Sequence, residues 1–498
     1  MKKQIMKTFV LFLLCLLSAC GANDKEQLSV YRTLDDLSGK KIAVFTGASQ
    51  EAIIEKEYPE VKIMRIDNTT DMLQALLAKQ CEAMVMEDYN IYYFLSSVNG
   101  VSILPDKLMT AEMGVCFEKG KNAELREQFN VFLAQIKADG TYDEIYDRWL
   151  NHTNEAKMPV ITFDEKAEPL RVATSSTSPP LDFIKNGELA GFDIEMMTRF
   201  AASIGRRIIW SDMNFAALMP ALVSGTQDVV IACMNITPQR AQSVDFSNPY
   251  FTSSTHIVIR SENSADYNGD EVLSNEGFWE GIKKSFYRNI IEENRYLMIL
   301  DGLKLTALIA LLSALLGTIL GGVVCWMRMC RNAFLRRIAI LYIGLMRGMP
   351  ILVLLMLMFY VVFAGTSVDA VAVSIITFAM NFAAYVSEMF RSSIEGVDKG
   401  QTEAGIAMGF TPVKTFYHIV MPQAFKQVLP VYKGELISLV KMTSIVGYIA
   451  VQDLTKVGDI IRSRTFDAFF PLLMVAILYF LLSWIFALVL DFIGRKAR

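Results

Sequence analysis

"IKADGTYDEIYDRWL", residues 136–150, has the form of a domain's last helix, yet 348 of the 498 residues follow it. Ile136 closes an amphipathic helix in which Leu125, Phe129, Phe132, Leu133 and Ile136 recur at helical spacing. Gly140 suits the left-handed conformation that stops a helix. Thr141 then stands as the cap of a further turn, with Glu144 three residues on as in a capping box. Tyr142, Ile145, Tyr146 and Trp149 give that turn an apolar face. Such a helix lids a core, and the residues of that core have to be found elsewhere in the chain.

Charge and composition narrow the search. Forty-eight Lys and Arg against 52 Asp and Glu leave a formal charge of −4, which gives no footing for nucleic acid. Apolar residues make up 53% of the chain, with 31 Phe and 27 Met, and are unevenly placed. Residues 27–264 read as ordinary globular sequence, whereas long apolar runs dominate from about residue 300. A soluble head on a membrane body is implied.

Lys2, Lys3 and Lys7 precede "FVLFLLCLL", a run too short to span a bilayer and shaped like a secretory signal. It ends in "LSAC", which resembles the lipobox of bacterial lipoproteins. That resemblance implies a signal over 1–19, a lipid-anchored Cys20 and a tether over 20–35. Cys81, Cys116 and Cys233 lie in the head without close spacing, as buried free thiols do, and His152, His256 and His418 are scattered. No metal site and no cofactor is suggested.

In the membrane half, "LTALIALLSALLGTILGGVVCWM" (305–327) has 23 residues without a charge, enough for one crossing. Further runs lie at about 338–364, 370–390, 430–452 and 468–490. Arg328, Arg331, Arg336 and Arg337 place the first connection in the cytoplasm, as does the basic tail "GRKAR". Five crossings with the first end outside satisfy both, and a secreted head requires the same start.

The third connection contains "EAGIAMGFTPVKTFYHIVMP" (403–422). It resembles the cytoplasmic loop of ABC-importer permeases, with Glu403, Ala404, Gly409, Ile419 and Pro422 at the family's offsets and Gly405 and Met421 departing from it. The resemblance implies a helix–turn–helix that docks on a separate ATPase subunit, with Gly409 as a turn glycine permitting close helix approach. "RGMPILVLLMLMFY" (347–360) and "YVSEMFRSSIEGVDKGQTEAG" resemble the polar amino acid permeases in particular, over roughly 297–495. "MTSIVGYIA" (442–450) is similar to a potassium-channel filter, but the contiguous Thr-Val-Gly-Tyr-Gly is lacking. Glu435 and Lys441 share that crossing and are expected to face a bundle interior or the translocation path, since each costs about 2.5–3.5 kcal/mol against lipid.

"EPLRVATSSTSPPLDFIKNGELAGFDIEMMTRFAASIGRRIIW" (168–210), continuing to Phe251, resembles the beginning of a bacterial periplasmic amino acid-binding protein. The second lobe that should follow begins "DLSGKKIAVFTG", at 36–47, and leads to the terminal helix at 136–150. The order is rotated. The implied fold is an α/β two-lobed head of the periplasmic-binding-protein type II class, circularly permuted, followed by an all-α permease with about five helices. Residues 36–151 supply the second lobe and the end of the first, 152–167 a linker, 168–264 the beginning of the first, 265–296 a connector and 297–495 the permease. Two broken half-domains are the rival, and neither would close a core.

The resemblance also implies a site. "NITPQR" puts Arg240 at the family's carboxylate-binding position, with Thr237 and Pro238 opening a helix whose N–H groups favour an anion. Glu87, or failing it Asp88, would hold the ammonium, and Phe215 would form an aromatic wall. Ser175, Ser178, Phe45, Thr46, Ser49, Cys233 and Asn235 complete the candidates. Several depart from the family, Cys233 standing where Gly is usual and Asn235 where Ser or Thr is. None adds a charge for a charged substrate, which favours a neutral polar amino acid such as glutamine and leaves cystine-like or acidic substrates open.

There is no G-x-x-x-x-G-K-[ST] phosphate loop and no catalytic constellation. The expectation is a non-enzymatic receptor and permease of an amino acid importer, in the cytoplasmic membrane with its head outside. It would work as a homodimer or heterodimer with an ATPase subunit. The alternative is an amino acid-gated channel of glutamate-receptor type, for which a docking loop has no use.

Overall fold

The computed structural model describes residues 29–265 and 278–496, apart from positions 47, 67, 96, 97, 99, 154, 365, 367 and 468. The signal sequence and Cys20 lie outside the described residues.

Ten strands organise the head among these residues, beside a small three-stranded sheet over 177–190. They are β1 (Lys41–Phe45), β2 (Lys62–Ile66), β3 (Ala83–Glu87), β4 (Val101–Met113), β5 (Cys116–Glu118), β6 (Pro169–Thr174), β7 (Arg207–Asp212), β8 (Val229–Val230), β9 (Val244–Phe246) and β10 (Phe251–Arg260). The sheet of lobe I runs β7-β6-β8-β5-β9 and that of lobe II β2-β1-β3-β10-β4. β1 pairs in parallel with β2 and β3, and parallel strands are covered on both faces, which is why Ile42, Ala43 and Val44 are all buried.

The decisive pairings join distant segments. In lobe II, β10 is antiparallel to β3, with Thr255 opposite Glu87, and to β4. In lobe I, β5 is antiparallel to β8 and β9, Cys116 lying opposite Val230 on one side and Phe246 on the other. Each sheet is thus assembled from strands on both sides of residues 152–168, and neither segment contains a whole one. Half-domains standing side by side do not describe this head.

Helices α1 (Ser49–Glu57), α2 (Thr69–Leu77) and α3 (Asp88–Leu95) accompany lobe II. Lobe I carries α4 (Ala123–Ala138), α5 (Thr141–Tyr146), α6 (Phe192–Ser203) and α7 (Phe215–Val223). The stripe on α4 is buried as expected, Phe129 and Phe132 packing on Phe200 of α6. Trp149 is fully buried and donates from Nε1 to Glu195 at 2.7 Å. Gly140 is left-handed, at φ +88°. Thr141 does not cap: Gly140 has already turned the chain, Thr141 enters the helix, and its N–H donates to the Asp139 carboxylate at 2.9 Å. The linker lies partly on lobe I, where the carbonyls of Thr153 and Ala156 accept from Lys185 Nζ at 2.8 and 2.7 Å. Val160 beyond them is 94% exposed.

The C-terminal region is helical: α8 (Arg295–Met329), α9 (Ala333–Gly348), α10 (Ala370–Glu395), α11 (Lys399–Ala407), α12 (Met421–Met442), α13 (Leu454–Thr465) and α14 (Phe469–Lys496). Among the described residues three helices are long and apolar enough to cross a membrane, or up to five if each of two bent pairs is one span. The expected crossing at 338–364 is one such pair, bent by 108° after α9. Pro350 holds Met349 in an extended conformation there and so breaks the helix. The expected crossing at 430–452 continues through a 57° bend into α13, which the sequence reading did not anticipate. α8 and α10 pack closely because their contact is glycine: a Cβ on Gly317 would lie 2.8 Å from the Ala379 carbonyl, and one on Gly321 2.9 Å from Val386. Glu435 is half-buried beside Arg347 and Glu388, and Lys441 is exposed on this chain.

Candidate functional site

A cleft, open to solvent at its mouth, lies between the lobes. Lobe II lines it with Phe45, Ser49, Gln50, Thr69, Glu87 and Asn90, and lobe I with Ser178, Phe215, Cys233, Asn235 and Arg240. The expected cation and the expected anion therefore reach one cavity from opposite lobes, although 153 positions separate residues 87 and 240 in the sequence.

Arg240 is held by short-range contacts. Its guanidinium donates to the Asn235 carbonyl at 3.0 Å and lies 5.8 Å from the centroid of the Phe215 ring. Burial lowers its pKa, without threatening the charge of a guanidinium. The expected helix after Pro238 is only a single 3₁₀ turn, Arg240–Gln242. Thr237 still contributes, accepting from the Arg240 N–H at 3.2 Å, but no helix terminus aids the arginine.

Glu87 ends β3 and is buried; Gln50 Nε2 donates to one oxygen and Ser253 Oγ to the other, the latter at 2.7 Å. Burial raises its pKa, opposed by hydrogen bonds from Ser253, Asn235 and Thr255. Asp88 takes a different part: it accepts from the Ser254 N–H at 3.0 Å and from Ser253 Oγ at 2.7 Å, tying the start of α3 to β10 outside the lining. Ser175 and Thr46 also fall outside it. Ser175 is buried against Thr177, and the Thr46 N–H bonds to the Ile66 carbonyl beside the sheet.

Two acceptors are conspicuous by their state, Asn235, which the sequence offered as a candidate, and Gln50, which it did not. Gln50 Oε1 and Asn235 Oδ1 line the cleft, are buried, and have no hydrogen-bond partner. Unpaired buried acceptors cost about 1–3 kcal/mol each, so this wall is built for a ligand that donates. Gln50 was legible only as the neighbour of Ser49; nothing in its own pattern distinguishes it from a surface residue of α1.

Beneath the cleft, Asp182, Asp193 and Cys233 bring one ligand atom each within 4.8 Å of one another. The set suits a shared proton better than a cation. Thr174 Oγ1 donates to Asp182 at 2.5 Å and Cys233 Sγ at 3.2 Å, while Asp193 accepts from Tyr250 at 2.8 Å and from the Cys233 N–H at 3.1 Å. Burial, and then the charge of Asp193, push Asp182 well up, and burial pushes Asp193 up to about 6. Cys233 itself has φ +52°, the left-handed region, which is the physical reason a glycine serves at this place.

At the other end of the molecule, 399–422 forms two helical arms. α11 is capped by Asp398, and the second arm is opened by Thr411 and runs into α12. Gly409 is at φ +88° with open space around it, so it serves the turn and not close approach, contrary to expectation. Close approach belongs to Gly405, where a Cβ would lie 2.6 Å from Thr415 and 2.8 Å from Ile419. Glu403 and Ala404 are exposed, and so are Ile406, Met408, Val413 and Tyr417 around them, while Ile419 is half-buried. The filter-like stretch is wound into a 3₁₀ helix, Thr443–Ile449, so its carbonyls do not line a pore as a filter's do.

The model of the bacterial extracellular solute-binding proteins, family 3, matches residues 26–152 and 170–432. The probable amino-acid ABC transporter permease YckA of Bacillus subtilis (strain 168) is 34% identical over 199 residues, which are 40% of this chain and 88% of that protein. A putative glutamine transport system permease, GlnP of Rickettsia typhi, is 30% identical over 41% of this chain and 94% of its own. A solved amino acid ABC transporter structure, described as "with histidines", is 30% identical and covers 44% of this chain and 99% of its own, with a TM-score of 0.39. With its interleaved two-lobed head and its helical body, the chain belongs to the bacterial extracellular solute-binding proteins, family 3, fused to an amino-acid ABC transporter permease.

Proposed function

We propose that this protein is the receptor and permease subunit of an ATP-driven importer of a polar amino acid. The observation that carries the reading is the cleft, where Arg240 from lobe I and Glu87 from lobe II meet on one cavity. A zwitterion needs such a pair: a fork for its carboxylate and an acid for its ammonium. The unpaired oxygens of Gln50 and Asn235 favour a substrate with further N–H groups, such as glutamine. The head is read as a circular permutation cut next to β10, because lobe I begins at β6 and is completed by β5 from the front of the chain.

A permease of this kind is driven by an ATPase partner, and the arms at 399–422, with their exposed apolar side chains, are read as its seat. Two permease subunits, identical or not, would form the pathway in the cytoplasmic membrane, with the head outside and Cys20 lipidated. Fusion holds the receptor over its own gate at an effective concentration of about millimolar for a short linker. The test is calorimetry of the full chain in lipid nanodiscs against each common amino acid. One site per chain for a polar amino acid is expected; absence of heat with all of them overturns the reading.

A further inference from the structure

α13 belongs to the helical body by sequence, yet its side chains hold both lobes of the head. On lobe I, Lys456 pairs with Asp212 at 3.3 Å, both side chains being buried, and Gln452 just before the helix reaches the same carboxylate at 3.4 Å. On lobe II, Arg462 pairs with Asp71 of α2, and the Arg462 carbonyl accepts from Thr70 Oγ1 at 3.0 Å. Arg464 stands between the two. Its guanidinium donates to Tyr93 of lobe II at 2.5 Å, lies 4.6 Å from the ring of Phe183 in lobe I, and is pinned by Glu293 at 2.6 Å. Phe466, just past the helix, joins the apolar core of lobe II.

The gripped segments are those that form the cleft. Asp212 also accepts from the N–H and the hydroxyl of Ser176, two residues from the cleft-lining Ser178, and it precedes Phe215 by three positions. Asp71 lies between Thr69 and Met72, both of which line the cleft. A change in lobe spacing therefore cannot occur without moving α13 or breaking these pairs. The buried pair with Lys456 is expensive to break, because removing either partner leaves an uncompensated buried charge.

We propose that α13 is a strut between the lobes, with Arg464 the positioning residue that sets their spacing and transmits it to the permease. Linkage makes the effect mutual: whatever α13 does to the spacing, ligand closure does to α13.

The experiment uses the full chain in nanodiscs, with a donor and an acceptor fluorophore on encoded azide side chains replacing Lys56 of lobe II and Val131 of lobe I. The wild-type strut should give one narrow energy-transfer distribution without ligand. Arg464→Ala and, as the milder variant, Asp71→Ala should each add a population at longer lobe separation. Arg65→Ala, whose partners Glu51 and Glu55 lie within lobe II, should add none. A wild-type distribution in both strut variants, or the same broadening in Arg65→Ala, overturns the proposal. Titration with glutamine on the same samples tests the amino acid reading separately, since lobe spacing in the unliganded chain does not depend on it.

Discussion

Phe45 and Phe215 meet edge to face with ring centroids 5.4 Å apart, one ring from each lobe. Nearby, Asn235 of lobe I donates to Ser49 of lobe II at 2.8 Å. The cleft is thus bridged on one side by an aromatic contact and a hydrogen bond. Removing the Phe215 ring should therefore cost both this contact and the face on which Arg240 rests. Phe215→Ala is expected to weaken amino acid binding by roughly tenfold, from about 0.5–1.5 kcal/mol of ring–ring interaction together with the loss of ordering at Arg240. Titration calorimetry on the full chain decides it, and an unchanged Kd would remove Phe215 from the site.

Arg240→Ala should act more strongly and without unfolding the head. A charge-assisted bond is worth about 1.5–3 kcal/mol, or roughly 10- to 150-fold in Kd. Its guanidinium contacts include a backbone carbonyl and a ring face rather than a buried carboxylate of the core, and the thermal midpoint without ligand is expected to move little. A variant that binds normally rules out the carboxylate assignment.

Gly405→Leu should spoil the docking arms, because the new side chain has no room between Thr415 and Ile419. Loss of co-purification with the ATPase subunit, with amino acid affinity intact, is the expected pair of results. Gly409→Ala should be milder, costing about 1 kcal/mol locally for a side chain at positive φ. If Gly405→Leu still recruited the ATPase and transported at the normal rate, the seat would lie elsewhere.

A protease site inserted after Val160 should leave two pieces that stay together through denaturant-free gel filtration. The cut falls where the linker is fully exposed, and β5 and β10 each bind their sheet across it. Pieces that separate and retain structure independently would mean two domains rather than one.

The buried carboxyl pair predicts the sense of the pH dependence. Burial pushes folded Asp193 up to about 6 against an ordinary 3.8, and burial with the neighbouring Asp193 charge raises Asp182 as well, so the folded head holds protons that the unfolded chain has already released. The corresponding stability is fully present below the ordinary value and is lost as pH rises through about 6. Asp193→Asn, which keeps the shape without the ionisation, should flatten the fall in melting temperature between about pH 4 and about pH 6. An equally steep profile in the variant would show that another group is responsible.

Much of this architecture was legible because it rests on local periodicity. The stripe on α4, the glycine turn after it and the charge-free run of α8 each announce themselves within a few turns of chain. The cleft was legible in part, Arg240, Glu87 and Phe215 through motif and Gln50 not at all, because an amide on a helix looks the same whether it faces water or a ligand. Glu87 was favoured over Asp88 by resemblance alone, and it is Glu87, at the end of β3, that lines the cleft. α13 escaped notice for a related reason. Its Lys, Arg and Asp residues read as a solvated connector, and only their partners in a distant part of the chain make them a buried contact.

The rotated order of the head also has a consequence for its birth. β3 is complete by residue 87, but β10, the strand that must lie beside it, is not finished until residue 260. At a synthesis rate of about 5–20 residues per second, β1 to β3 wait on the order of ten seconds with an open edge. Over the same interval β5 and α4 have no lobe I to join. The first third of the newborn polypeptide is thus obliged to remain immature, exposed to proteases and to pairing with its siblings, until the middle third arrives. Quality control during synthesis, more than the finished protein's stability, is where substitutions in the first 150 residues should be felt.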